Sequence, residues 1–122
     1  MNNTKEPGGF FPRTAAVLAF LAVALGAFGA HALEDFLKEA GRVETWQTAV
    51  FYHLTHSIAL AWVAGSRGRD AVPQWAFTVG ILIFGGSLYA LCLTGITIFG
   101  AITPLGGLSL LAGWGWLAWK PS

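Results

Sequence analysis

No aspartate, glutamate, lysine or arginine occurs between residues 71 and 119, and none occurs in residues 14–33 or 45–66. Charge-free runs of this length decide most of what such a chain can become. A hydrocarbon layer about 30 Å thick is crossed by about 20 residues of helix. Residues 14–33 and 45–66 therefore each match one crossing, and the long run matches two. Inside a bilayer the backbone must satisfy its own hydrogen bonds, which leaves helices or closed barrels. Barrel strands need alternating segments of about 10 residues, whereas these runs are longer and apolar on most faces. Composition agrees: 55% of the 122 residues are hydrophobic and 11% charged, against about 25% charged in soluble domains. Such a chain cannot coat itself with polar surface.

The expected fold class is all-α: an integral membrane four-helix bundle in one transmembrane domain, residues 1–122. Its helices are expected at about 14–33, 45–66, 73–94 and 104–119. Pro73 suits a first helical turn, where a missing N–H costs nothing. Gly95 can end the third helix, and Thr103 with Pro104 reads as cap and first residue of the fourth. The connection "LEDFLKEAGRVE" between helices one and two places Leu33, Phe36, Leu37 and Ala40 at helical spacing, with charges on the remaining face. It predicts a short amphipathic helix lying in the headgroup region, capped by Gly41.

Basic residues orient the bundle. With four spans, Lys5, Arg13, Arg67, Arg69 and Lys120 share one side. Lys38 and Arg42 lie on the other, among Glu34, Asp35, Glu39 and Glu44. The positive-inside rule then places both termini in the cytoplasm and the protein in the plasma (inner) membrane. Trp46, Trp62, Trp75, Trp114, Trp116 and Trp119 fall near expected helix ends, where indole rings prefer the interface. Lys5 and Arg13 before an apolar run that ends in "AHA" also resemble a secretory signal. The length of the run, and the small residues Ala22, Gly26 and Ala30 along one stripe, favour a retained first helix.

The second run contains "AVFYHLTHSIALAW", with His53 and His56 amid apolar residues. On a helix, Thr45, Thr48, Tyr52, Thr55 and His56 share a stripe, with His53 beside it. Hydrocarbon rejects such groups, so the stripe is expected to face the bundle interior as a buried polar seam of His31, Thr48, Tyr52, His53 and His56. Two uses are open. The imidazoles relay protons or bind metal or haem; or, neutral because burial disfavours charge, they hydrogen-bond across the bundle. The second is favoured. His31, Glu34 and Asp35 can share a face, but His53 lies about 12 Å along its helix, so a compact zinc tetrahedron is not expected. Close helix packing is expected at Ala22, Gly26, Ala30, Gly80, Gly106 and Gly113. There is no HExxH, phosphate loop or paired intramembrane carboxylate. One cysteine, Cys92, excludes an intrachain disulfide, and a net charge of +1 gives no basis for nucleic-acid binding.

Four blocks in order resemble the YgdD/YwdK family of small membrane proteins of unknown function. They are "GAFGAHAL" from Gly26, "TAVFYHLTHSIAL" from Thr48, "GGSLYALCLTG" from Gly85 and "TPLGGLSLLAGW" from Thr103. The resemblance implies a four-helix inner-membrane protein with a retained first helix. His31 and His56 match the family's motif histidines, while His53 stands where bacterial relatives often have glutamine. Ala32 departs from the more usual glycine. No activity is implied. The expected function is therefore a non-enzymatic accessory or scaffold membrane subunit without a cofactor. Its partners would be the lipid bilayer and a second membrane protein or another copy of the chain. The alternatives are a small transporter or proton-coupled protein using the same seam, and a haem- or metal-binding protein.

Overall fold

A computed structural model describes residues 9–121; Lys5, one of the residues used above for orientation, lies outside them. Five helices hold most of the described residues, with no strand among them. Helix α1 is Phe10–Ala30, α2 is Glu34–Ala40 and α3 is Val43–Ser66. Helix α4 spans Ala71–Thr94 and α5 spans Ile98–Trp119.

Local chemistry explains the ends. Pro12 sits in the first turn of α1, where N–H groups have no intrahelical acceptor. Glu34 and Asp35 occupy the first turn of α2, the favourable end of its dipole. Gly41 closes α2 at φ 69°, with its N–H on the Lys38 carbonyl and that of Arg42 on Leu37. Paired bonds of this kind define a left-handed helix stop that favours glycine. Gly95 closes α4 in the same region, at φ 72°. The loop from α3 to α4 is held by Gln74, which is 1% exposed. Its amide donates to the carbonyls of Asp70, Gly68 and Arg67 at 2.9, 3.2 and 3.4 Å.

Two helices depart most from the expected bounds, while α3 and α4 each start two residues earlier than expected. Helix α1 spans residues 10–30, with His31 beyond its end, rather than 14–33. Helix α5 starts at Ile98 instead of 104, leaving Pro104 inside it. Thr103 is no cap: its hydroxyl donates to the Phe99 carbonyl one turn back. Pro104 removes only the bond to the Gly100 carbonyl, and packing against α4 retains the preceding turn. Helix α4 contains a wide π-turn at Ile81–Gly85, which carries one residue more than regular helix would.

Helix α1 packs on α3, α3 on α4, and α4 on α5, so the long helices form a curved row. A closing contact between α1 and α4 comes from Phe10 and Phe11 against Trp75, at centroid distances of 5.8 and 5.1 Å. One core joins Ala15, Leu18, Leu60, Val63, Phe77 and Leu110; another, at the opposite end, joins Leu37, Trp46 and Cys92. Phe20, Val23, Leu105, Leu108 and Leu111 face outward, each at least 60% exposed. An apolar exterior on this scale suits a lipid surround. Among the described residues three helices are long and apolar enough to cross a membrane: α1, α4 and α5. Helix α3 matches them in length but carries the polar residues.

Candidate functional site

Helix α3 turns Trp46, Ala49, His53, His56, Ser57, Leu60 and Val63 inward. The expected seam is therefore rotated. His53 and His56 are 5% and 6% exposed, whereas Tyr52 is 40% exposed and Thr48 and Thr55 also face out. His31 is exposed in the turn after α1. Of the five seam residues, the fold brings only His53 and His56 inside. Their small neighbours Ala49, Ser57 and Ala59 explain the choice of face, since small side chains allow adjoining helices to approach.

The two imidazoles differ in their partners. Nδ1 of His56 lies 2.8 Å from the Tyr52 carbonyl, and Nε2 lies 2.9 Å from Trp114 Nε1. A carbonyl only accepts and an indole nitrogen only donates. Nδ1–H therefore donates to Tyr52, and Trp114 donates to Nε2, which assigns the neutral Nδ1–H tautomer. Both nitrogens are occupied. His53 Nδ1 lies 2.9 Å from the Tyr89 hydroxyl, while its Nε2 is buried without a hydrogen-bond partner.

A groove of about 610 Å³ lies between α3 and α5, with Phe84 of α4 as its floor. Tyr52 and His56 form one wall, stacked at 5.9 Å and 11°; Pro104, Leu108 and Trp114 form the other. Apart from its ring nitrogens and the Tyr52 hydroxyl, this lining is apolar, so it accommodates hydrocarbon better than ions or water. A second groove of about 470 Å³ lies between α1, α2 and α3, beside Gly26, Gly29, Leu37 and Trp46. Among the described residues no three His, Cys, Asp or Glu side chains form a group that could hold a metal ion.

Contacts around the site rest on glycine. An added Cβ at Gly106 would lie 2.3 Å from the Phe84 backbone nitrogen, and one at Gly80 would lie 2.4 Å from a Leu110 methyl. At Gly113 it would meet the Phe77 ring at 2.6 Å. On α1, Ala22 is fully buried and Gly26 is close to Val50. Ala30, however, is exposed, and the close approach falls instead on Gly29, beneath the Trp46 indole. Trp46 is 3% exposed and donates to the Leu25 carbonyl at 2.9 Å, so it is a packing residue and not an interfacial one. Trp114 likewise serves His56. Both partnerships escaped the sequence because nearness to a helix end outweighed helix phase. Ser87 and Thr103 share a 2.6 Å bond between α4 and α5, and Ser109 donates to the Ala76 carbonyl at 2.8 Å.

Residues 25–107 match the family described as "Protein of unknown function (DUF423)". The chain belongs to this family. The DUF423 match contains His53, His56 and Tyr89, while Trp114 lies beyond it. The chain is 43% identical over 105 residues to the UPF0382 membrane protein YwdK of Bacillus subtilis (strain 168), covering 81% of this chain and 85% of that one. It is 40% identical over 108 residues to the UPF0382 inner membrane protein YgdD of Escherichia coli (strain K12), covering 82% and 79%. These matches confirm the resemblance read from the four sequence blocks. No solved structure matches the chain. A membrane protein of a DUF423 family whose function is unknown is therefore what sequence and relatives jointly establish.

Proposed function

We propose that the protein crosses the membrane four times, with α3 as the fourth span, and acts as a non-enzymatic accessory or scaffold subunit. Its imidazoles serve as hydrogen-bonding struts between helices. The observation that carries this reading is the double engagement of His56, whose two nitrogens meet Tyr52 and Trp114. A ring so held has no nitrogen free for a metal or a proton relay. Shielding of α3 supports the fourth span, since it buries both histidines while α1 and α4 cover its flanks. Arg13, Arg67, Arg69 and Lys120 at one end of the row support cytoplasmic termini.

Replacing His56 tests the reading. His56→Leu leaves the Trp114 N–H without an acceptor and should cost about 2 kcal/mol, read as a lower unfolding midpoint by tryptophan fluorescence. His56→Gln retains an acceptor and should cost less than about 1 kcal/mol. A second reading, a transported solute or proton, has one observation in its favour: Tyr52 and His56 line the groove between α3 and α5. If wild-type protein in vesicles carried a proton flux that His56→Gln abolished, the structural reading would fall and the transport reading would replace it.

A further inference from the structure

The outer face of α3 is unusual for a helix in lipid. Gln47, Thr48, Tyr52 and Thr55 are exposed on it, between the two grooves. Six other helix hydroxyls bond back to a carbonyl four residues earlier: Thr14 to Phe10, Ser57 to His53, Ser66 to Trp62, Thr78 to Gln74, Thr94 to Ala90 and Thr103 to Phe99. None of the four α3 side chains makes a hydrogen bond to another described residue. Thr55 is 12 residues into a helix of 24, about 18 Å from its start at 1.5 Å per residue. That is mid-bilayer depth, where an unmet polar group is costly.

The spacing on this face is orderly. Thr48, Phe51, Thr55, Ile58 and Trp62 are all exposed and alternate three and four residues apart. That is the seven-residue pattern with which two helices form a left-handed pair. Threonine holds two successive positions of one type, and such polar positions set register and partner number. Gln47 and Tyr52 flank the seam on opposite sides. Between Gln47 and Trp62 no residue is charged, and Gln, Thr and Tyr can each both donate and accept.

We propose that this face is where a second copy of the same chain docks, α3 against α3, in parallel about a twofold axis along the membrane normal. This rests on the reading that α3 spans the bilayer. Two copies inserted alike place Thr48 opposite Thr48 and Thr55 opposite Thr55 at equal depth, and Gln47 within reach of Tyr52 of the other copy. Hydrogen-bonding groups that are both donors and acceptors can pair with themselves, as a twofold interface demands. A charged partner surface would leave them mismatched. Glu44 meets its own copy only at the outer end of α3, where water screens the repulsion.

Cysteine crosslinking in detergent-free membranes tests the pairing. Thr48→Cys and Thr55→Cys, each oxidised in cells co-expressing long-tagged and short-tagged copies, should give linked products of three sizes. Phe20→Cys on α1 and Leu111→Cys on α5, 66% and 67% exposed, should link at least about tenfold less if pairing is specific. Wild-type protein, whose Cys92 is 2% exposed, is the blank. Removing both hydroxyls with Thr48→Val and Thr55→Val together should shift the equilibrium about tenfold toward monomer. No link at 48 and 55, equal linking at all four sites, or a link to a different polypeptide would each overturn the proposal. Labelling Glu39→Cys and Ser66→Cys with an impermeant maleimide keeps the two readings apart. Labelling from opposite sides shows that α3 spans, so a failed crosslink then counts against the dimer alone; labelling from one side removes both.

Discussion

The α4–α5 contact and the α1–α3 contact bring helices together by different means. At Gly106 the approach between α4 and α5 is backbone to backbone: the position a Cβ would take is already occupied by Phe84 N and Cα, at 2.3 and 2.8 Å. Between α1 and α3 the neighbours are side chains. A Cβ at Gly29 would meet the Trp46 indole at 2.3 Å, and one at Gly26 would meet Val50 Cγ1 at 3.2 Å. Side chains can change rotamer; a helix backbone cannot move without its neighbours. The first contact should therefore be brittle and the second forgiving, although both use glycine in apolar helices.

The sharpest way to break this contrast is Gly106→Ala, one methylene larger. It should destabilise the protein by about 3 kcal/mol, the upper part of the usual range for overpacking, and unfolding in mixed detergent would measure it. A loss below that seen on α1 would mean that α4 and α5 can slide apart, and the contrast would dissolve. Gly29→Ala should cost about 1.5 kcal/mol, as Trp46 swings aside and loses its bond to the Leu25 carbonyl. Restoration of most of that loss by adding Trp46→Phe would show that the strain lies in the indole. Gly115, with nothing within 4 Å of an added Cβ, provides the baseline. Gly115→Ala should gain about 0.5 kcal/mol from helix propensity, and any loss there would expose a contact outside this chain.

The long helices were legible because charge-free runs leave the backbone no other solution in oil. Gly41 and Gly95 were legible as stops because a left-handed residue is most easily glycine. The fourth helix was misread at its start, because Thr103–Pro104 has the chemistry of a cap. What overrides it is tertiary: Thr103 reaches across to Ser87, and the turns before it pack against α4. The candidate site was half legible. Two histidines in an apolar run had to find partners, and Tyr89 and Trp114 supply them. Which face of α3 turned inward was not legible from polarity, since polar residues occupy both faces. Size separates the faces only beside the histidines, where Ala49, Ser57 and Ala59 are buried and Phe51 and Ile58 exposed. Trp46, Leu60 and Val63 are buried as well, so neither polarity nor size alone finds the face.

The wide turn at Ile81–Gly85 has a consequence for how α4 works as two gears on one shaft. Its extra residue offsets the second half by about 100° from where an unbroken spiral would place it. Phe77 and Gly80, ahead of it, mesh with α5, while Tyr89, behind it, swings to meet His53. Excising a single residue there would leave a smoother rod with its two halves out of phase, unable to seat both against α3 and α5 at once.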